Sequence, residues 1–354
     1  MGNSLPTRYF HRQYRELKPF TATNGTGRMR YFVTGGTGFI GSWVVQLLVE
    51  KGEEVCCLVR KTSNLRWLKD LPIQYHYGSL LEPDSLKDGV KDADYVLHIA
   101  GVTKALTVAD YYRGNVEATR NLLQVVQETN SRLRKFVFVG SQAAIGPSPS
   151  PEPLTEDSPP HPVTDYGKSK LQAEQAVREF MERLPITILR PPAVYGPRDT
   201  DVFEVFRNIR RGINVKVGRT DQLVSIIHVL DLARAILLAA EHPDSTGQTY
   251  FVCNDTPCAW SEVIAILQRL MQRRARTIAI PYPVAYAFAG ILELAARVQR
   301  KPTILNRQKI REVSCPYWVI SNEKIRRELG YASQFTLEEG LRNTLEWYRA
   351  EGWL

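Results

Sequence analysis

Cysteine is scarce in this chain, and the few cysteines are not arranged for chemistry. The 354 residues include five cysteines, Cys56, Cys57, Cys253, Cys258 and Cys315, and their spacing matches no set of metal ligands. An odd number of thiols and the lack of a secretory signal favour a reducing compartment over a fold held by disulfides. We therefore expect a cytoplasmic protein without a bound metal ion.

Apolar runs long enough to cross a bilayer, about 18 residues, are also missing. The nearest approach is the segment 283–298, PVAYAFAGILELAARV, which Glu293 interrupts and which basic residues flank. We interpret this segment as a helix that faces the core. The alternative is peripheral membrane contact, with the helix lying on a membrane surface beside an apolar substrate pocket.

Runs of one charge sign are missing as well. The net charge is +9, but no run of basic residues is interleaved with aromatic residues in the manner of a nucleic-acid groove. We therefore expect a small-molecule substrate and no nucleic-acid partner. The hydrophobic content of 44% and the charged content of 23% are ordinary for a globular chain with one large or two intimate domains.

What the chain does have, from Met29 onward, is an alternation of short apolar strands and helical segments. Strands separated by helices form βαβ units and predict an α/β fold with a Rossmann doubly wound parallel sheet, whose ligands bind beyond the carboxyl ends of the strands. The strands are predicted at 31–33, 54–60, 73–77, 95–100, 135–140 and 185–190.

The same alternation predicts the domain boundaries. We expect a flexible N-terminal extension at 1–28 and a Rossmann domain at 29–190, to which 226–250 returns. A smaller C-terminal α/β substrate lobe is then formed by 191–225 and 251–354. The segment 146–162 contains seven prolines and resembles a linker. Because it lies between a strand and a helix that carries chemistry, we predict instead a stiff loop that borders the active site.

The stretch 31–45, YFVTGGTGFIGSWVV, is typical of a strand, a glycine turn and the start of a helix. Its glycines fit both G-x-G-x-x-G and G-x-x-G-x-x-G. Such glycines permit a tight turn and a close approach to a diphosphate, and the helix N-terminus offers N–H groups to the phosphates. The predicted contacts to a dinucleotide are Gly35, Thr37, Gly38, Phe39, Ile40 and Gly41.

Turns after the later strands complete the predicted cofactor site. Arg60 stands nineteen positions beyond Gly41, where an acidic residue would bind a ribose 2′-hydroxyl. With Lys61 beside it, this arginine suits a 2′-phosphate, so NADP is favoured and NAD is the alternative. After the next two strands, Ser79 and Leu80 are expected beside the adenine, and Ala100 and Gly101 beside the middle of the cofactor.

Three side chains suit hydride-transfer chemistry. Ser141 follows the fifth strand, and Tyr166 and Lys170 are spaced i and i+4 on a predicted helix, so both face the same side. A tyrosine hydroxyl normally loses its proton near pH ~10, and a neighbouring ammonium group favours the phenolate. We therefore predict that Tyr166 moves a proton while the cofactor supplies or takes hydride.

These motifs together resemble the extended short-chain dehydrogenase/reductases, from Met29 to the C-terminus. The resemblance implies that Ser141, Tyr166 and Lys170 are catalytic and that Asn115 holds a water molecule in the proton relay. The motifs are TGGTGFIG at 34–41, NVEATRNLL at 115–123, VGSQAAIG at 139–146, YGKSK at 166–170, LRPPAVYGP at 189–197 and IHVLDLARA at 227–235.

The resemblance also has implications for the cofactor site and the assembly, and two further residues need an interpretation. It implies that Pro192 and Val194 lie against the cofactor, and that the protein forms a homodimer through the helices that carry Asn115 and Tyr166. His228 and Asp231 could suggest an acid–base pair, but their place at a strand–helix junction favours structural roles.

Departures from the family pattern indicate the branch. Sugar-nucleotide epimerases typically carry asparagine where Ala193 stands and arginine where Val224 stands, and dehydratases carry an acidic pair where Gln142 and Ala143 stand. The chain looks more like the hydroxysteroid dehydrogenase and dihydroflavonol reductase branch. One set of apolar residues has two interpretations, as the lining of an apolar substrate pocket or as the core of the lobe. The set is Phe203, Val205, Phe206, Ile280, Tyr282, Tyr286, Phe288 and Ile291.

Three functions remain open at this point. The first is hydride transfer between NADP(H) and a secondary alcohol or ketone of a hydrophobic, sterol- or flavonoid-like substrate. The second is a nucleotide-sugar epimerase that uses the same three side chains. The third is an NADP-binding sensor without turnover, which the complete set of Ser141, Tyr166 and Lys170 argues against.

Overall fold

The computed structural model describes residues 27–299 and 306–354, so the expectation for the extension 1–28 lies almost wholly outside the described residues. The strands of the main sheet follow the six predicted apolar segments within one or two residues and add a seventh. They are β1 Arg30–Thr34, β2 Glu54–Val59, β3 Gln74–Tyr77, β4 Tyr95–His98, β5 Lys135–Val139, β6 Ile186–Arg190 and β11 Thr249–Phe251.

The described helices connect these strands and build the rest of the molecule. They are α1 Phe39–Glu50, α2 Lys87–Val90, α3 Val108–Tyr112, α4 Ala118–Thr129, α5 Asp165–Arg178, α6 Phe203–Arg210, α7 Val229–Glu241, α8 Trp260–Met271, α9 Tyr282–Gln299, α10 Arg307–Ser314, α11 Glu323–Leu329 and α12 Leu337–Ala350. The short strands of the lobe are β7 Ala193–Tyr195, β8 Ile213–Val217, β9 Leu223–Val224, β10 Ile226–His228, β12 Cys258–Ala259, β13 Arg276–Ile280 and β14 Tyr317–Trp318.

The main sheet of the described residues has seven strands in the order β11-β6-β5-β4-β1-β2-β3, and every neighbouring pair is parallel. Helices cover both of its faces, as a doubly wound sheet requires. On one face α1 and α7 enclose an apolar core around Val33, and on the other α4 and α5 enclose a core around Phe136. The predicted fold class is confirmed.

The lobe has its own core between α6, α8 and α12, around Phe206, Leu267 and Tyr348. Phe206 is fully buried there and the Phe203 ring packs edge-on against Tyr348, so of the two interpretations of these phenylalanines the packing favours the lobe core. Phe288 is exposed on α9.

The C-terminal part of the chain also contacts the main sheet. Ile325, Leu329 and Tyr331 pack in the same core as α7, although sequence analysis assigns them to the lobe. Asp231 in the first turn of α7 accepts hydrogen bonds from the backbone N–H groups of Gln334 and Phe335. Its carboxylate therefore fixes the C-terminal segment, which agrees with the structural role expected for it.

The proline-rich segment 146–162 is an ordered loop rather than a linker, as predicted. Its backbone is bonded to the edge of the lobe, with Ser148 N–H donating to Tyr317 O at 3.0 Å. Gly146 has a φ of +95°, and a Cβ there would overlap the His161 carbonyl group. Pro162 ends the loop beside Gly167 of α5, so the loop borders the helix that carries Tyr166.

Candidate active site

The glycine turn between β1 and α1 leaves no room for side chains. Gly35 has a φ of +75°, and a Cβ there would lie 2.6 Å from the backbone nitrogen of Ala100. A Cβ at Gly41 would overlap the Gly35 carbonyl oxygen. Helix α1 begins after Gly38, whose missing side chain cannot cap the free N–H groups of the first turn. This uncapped helix end, partly exposed at Thr37, Phe39 and Ile40, fits an anionic diphosphate.

The turns after β2 and β3 lie beside this glycine turn because β1, β2 and β3 are neighbours in the sheet. Arg60 and Lys61 are exposed directly beyond the end of β2, and Arg60 N–H donates to Ser63 Oγ at 2.9 Å. After β3, the Ser79 hydroxyl accepts from Leu81 N–H at 3.2 Å. The Leu80 carbonyl accepts from Asn121 at 2.9 Å, which fixes this turn to α4.

Asn115 holds the turn that follows β4. It lies in a π-helical turn, Arg113–Glu117, and its amide exchanges two hydrogen bonds with the backbone of Val102, at 2.7 and 3.0 Å. The same amide nitrogen donates to Ser169 Oγ at 2.9 Å. Its side chain therefore connects the turn at Ala100 and Gly101 to α5, and the proposed role with a water molecule stays a prediction.

The structure brings Ser141, Tyr166 and Lys170 together at the carboxyl end of β5. Ser141 directly follows Gly140 at the end of this strand. Its hydroxyl accepts from Ala143 N–H at 3.1 Å and lies near enough to the Tyr166 hydroxyl to influence the pKa of Tyr166. Thr164 caps α5 and so fixes where the helix begins, two residues before Tyr166. One turn later, Lys170 Nζ donates to Val139 O at 2.9 Å and lies 4.6 Å from the centre of the Phe138 ring.

Burial dominates the electrostatics of these groups. It raises the pKa of Tyr166 to about 12, although the neighbouring Ser141 hydroxyl lowers it in part and the nearby Glu312 and Tyr111 raise it. Burial also lowers the pKa of Lys170 to about 8. The expected lowering of the Tyr166 pKa by Lys170 is absent here, because the ammonium group is directed to the Val139 carbonyl.

Sequence reasoning missed two groups near Tyr166. The Tyr111 ring lies 6.2 Å from the Tyr166 ring, and Glu312 of α10 is close enough to influence its pKa. Glu312 also forms an ion pair with Lys309 at 2.7 Å. No local motif marks these residues, because a long-range contact brings α10 to the site: Gln308 exchanges two hydrogen bonds with Asp165.

Gln142, which sequence analysis used only to argue against dehydration, has an unusual environment. Its side chain is 3% exposed, and its amide nitrogen has no hydrogen-bond partner among the described residues. An unpaired buried amide costs about 1–3 kcal/mol, so such a group calls for an explanation. It follows Ser141 directly, and we regard it as a candidate for substrate contact.

The last predicted cofactor residues lie beyond β6. Pro192 is buried and Val194 is partly buried against the core that contains α1 and α7. Between them Ala193 is exposed at the start of β7, which pairs with β10. Within the described ranges no group of His, Cys, Asp and Glu side chains is placed to hold a metal ion.

A glycine turn that suits a diphosphate, at the same carboxyl edge of the sheet as Ser141, Tyr166 and Lys170, defines a dinucleotide-dependent oxidoreductase of the extended short-chain type. The chain belongs to the NAD dependent epimerase/dehydratase family, which it matches over residues 31–253. This confirms the resemblance seen in its motifs. In the parts of the chain that the structure covers, no helix is both long and apolar enough to cross a membrane.

Relatives and solved structures support the same assignment. The chain is 28% identical over 322 residues to a ceramide reductase of Caulobacter vibrioides, covering 91% of this chain and 95% of the relative. It is 26% identical over 326 residues to a decarboxylating sterol-4-alpha-carboxylate 3-dehydrogenase of Dictyostelium discoideum, covering 88% and 98%. A UDP-glucose 4-epimerase structure from Thermotoga maritima superposes with a TM-score of 0.76 at 23% identity, covering 91% and 99%, and shows the shared fold.

Proposed function

We propose that this protein is an NADP-dependent dehydrogenase/reductase that interconverts a secondary alcohol and a ketone on a hydrophobic, lipid-like substrate. The observation that carries the proposal is the grouping of Ser141 and Tyr166 at the carboxyl end of β5, with Lys170 one turn further along α5 and bonded to the last residue of β5. The printed names of two relatives, a ceramide reductase and a sterol dehydrogenase, support an apolar substrate.

The chemistry follows from the protonation states of these residues. With its pKa raised to about 12, Tyr166 carries its proton at neutral pH and serves as the acid that protonates the substrate oxygen during reduction. The Ser141 hydroxyl binds the same oxygen and orients it. Lys170, charged below pH about 8, can stabilise the phenolate that remains only after its ammonium group leaves the Val139 carbonyl, to which it donates in this structure. The dinucleotide, when bound, supplies or accepts the hydride.

The cofactor would be held by the α1 turn and by the turns after β2, β3, β4 and β6. The exposed Arg60 and Lys61 next to the glycine turn support NADP over NAD, since the 2′-phosphate needs a cationic partner. Fluorescence titration of the protein with both dinucleotides tests this preference. Tighter binding of NAD would contradict it.

The positions of Val224 and Ala193 in the fold add a further argument against the epimerase alternative. Val224 is 9% exposed and belongs to the lobe core, and Ala193 offers only a methyl group at the cleft. Neither position supplies a cation or an amide to a sugar-nucleotide diphosphate.

We further propose a cytoplasmic homodimer through α4 and α5, whose outer surfaces are joined by the ion pair of Arg120 and Glu179 at 2.6 Å.

The experiment that tests the function is Tyr166→Phe. We expect kcat with apolar ketones to fall by roughly 10²–10⁴, because the proton donor is gone, while the dissociation constant for NADP changes little. Tyr31→Phe is the matched control, since it removes a phenolic hydroxyl that is hydrogen-bonded to Glu241 near the amino end of β1, at the other end of the strands from Tyr166. Unchanged turnover in Tyr166→Phe would refute the mechanism.

A further inference from the structure

The exposed apolar residues of this protein are concentrated in one region. Eleven large hydrophobic residues are exposed in the described ranges, and eight of them lie on α9, β8 and β13. Contiguous apolar surface of this kind marks an interaction site. The eight are Ile213, Val215, Ile278, Tyr282, Val284, Phe288, Ile291 and Leu294.

Helix α9 points its large side chains outward. Val284, Phe288, Ile291 and Leu294 follow helical spacing along one side, which we name the α9 face, and they are 57%, 53%, 65% and 65% exposed. The small residues Ala285 and Ala289 form the buried side. A surface helix ordinarily buries its large apolar residues, so this arrangement presents the α9 face to a partner.

The strand pair β8–β13 extends this apolar surface. Val215 pairs with Ile278 and Val217 with Ile280, so all four side chains share one face of the pair. Val217 and Ile280 pack on the cluster of Ala285, Ala289 and Ile310 beneath α9, whereas Val215 and Ile278 remain exposed. The exposed strand residues are thus continuous with the helix.

The sequence that contains the α9 face is rich in basic residues. Residues 273–312 include nine arginines and lysines and two acidic residues, a net charge of +7. The two acids are both paired, Glu293 with Arg307 at 2.9 Å and Glu312 with Lys309 at 2.7 Å. The strand-side arginines Arg273, Arg274 and Arg276 are exposed. An apolar centre with a basic surround complements an anionic lipid surface.

We propose that the α9 face docks on the surface of an anionic bilayer, with Phe288 and Ile291 in the headgroup–acyl boundary and the surrounding basic residues on the lipid phosphates. A second copy of this chain would bring two segments of charge +7 together, and a nucleic acid would leave the aliphatic residues uncovered. Helix α10 lies between this face and the active site, since its Gln308 is bonded to Asp165. If the proposed function holds, docking also brings the site to its lipid-dissolved substrate.

Vesicle co-sedimentation tests the docking without any cofactor or substrate. The full chain should bind vesicles that mix phosphatidylglycerol with phosphatidylcholine, bind phosphatidylcholine alone weakly, and lose binding as salt is raised. The variant Phe288→Ser/Ile291→Ser should bind at least about tenfold more weakly, because two large apolar side chains no longer enter the lipid. Both residues are exposed, so its circular dichroism should match the wild type.

The control Leu106→Ser/Val108→Ser removes two exposed apolar residues from another part of the surface and should bind vesicles normally. The dissociation constant for NADP should be unchanged in the Phe288→Ser/Ile291→Ser variant, which separates docking from cofactor binding. Equal vesicle binding by the two double variants would overturn the proposal. The proposal would also be overturned if the wild-type chain formed a dimer in lipid-free buffer and the Phe288→Ser/Ile291→Ser variant were monomeric, because the α9 face would then join two copies.

Discussion

At the scale of single residues, the buried amide of Gln142 is the group with the most informative environment. It follows Ser141, its nitrogen is unpaired among the described residues, and methionine has nearly the same shape. We expect Gln142→Met to raise the substrate KM by roughly tenfold, the value of one lost hydrogen bond, and to leave NADP affinity unchanged. Steady-state kinetics and dinucleotide titration measure the two effects.

A purely structural role for Gln142 gives a different result. Removing an unsatisfied amide from a packed interior would then stabilise the fold without changing KM. Gln172→Met, an exposed substitution on α5, is the matched control and should change neither quantity. A normal KM in Gln142→Met would therefore exclude substrate contact.

The residues of the proposed catalytic set could be found from sequence because short-range spacing determines their placement. A serine at a strand end and an i, i+4 pair on a helix need only the strand and helix to be placed correctly. Tyr111 and Glu312 could not be found this way, because they lie near Tyr166 only through the packing of α3 and α10, which are distant along the chain. The unpaired amide of Gln142 is likewise visible only in the folded protein.

At the scale of elements, the β1–α1 turn depends on two glycines that contact each other's backbone. We expect Gly41→Ala to weaken NADP binding by more than roughly tenfold and to lower stability, because its Cβ would overlap the Gly35 carbonyl oxygen and displace the turn. Gly52→Ala is the control: Gly52 has a φ of +82° but nothing near its Cβ position. It should cost about 1 kcal/mol of backbone strain and leave NADP binding intact.

Urea unfolding and NADP titration of both variants provide the comparison. If Gly41→Ala bound NADP as Gly52→Ala does, the turn would tolerate a side chain and would not be the diphosphate site. The control matters because alanine at the positive φ of Gly52 lowers stability away from the turn, so it shows whether a loss of stability alone changes NADP affinity.

The elements themselves were largely predictable, and the exceptions share a cause. Buried parallel strands are short apolar runs bounded by polar turns, so their limits were found within one or two residues. In α9, alanines and large apolar residues alternate around the helix, and periodicity shows two apolar sides without showing which is buried. The packing of Ala289 against α10 decides the matter, and sequence does not contain that contact.

At the scale of the whole molecule, burial of ionisable groups makes stability depend on pH in two opposing ways. Burial lowers the pKa of His98 and His228 to about 3. As pH falls below about 6.5, these histidines therefore bind protons in the unfolded chain but not in the folded chain, and the free energy of unfolding decreases. Burial raises the pKa of Asp199 and Asp231 to about 6. As pH falls, these carboxyl groups therefore bind protons in the folded chain before they do so in the unfolded chain, and the free energy of unfolding increases. Between pH about 4 and 6 the two effects oppose each other.

A difference measurement separates these effects. His98 bridges Thr34 and Thr119 at 2.7 and 2.9 Å, and His98→Asn removes its titration while keeping a hydrogen-bonding group. Above pH about 6.5 the wild type keeps the full stability that His98 contributes. Below it, the unfolding free energy of the wild type relative to His98→Asn should fall by about 1.4 kcal/mol per pH unit, the value of one proton.

Urea unfolding of both proteins across this pH range measures the slope. A flat difference for His98→Asn would mean that His98 accepts a proton inside the folded protein. The two-threonine bridge would then have to open, and the core between β4 and α4 would be less rigid than its packing indicates.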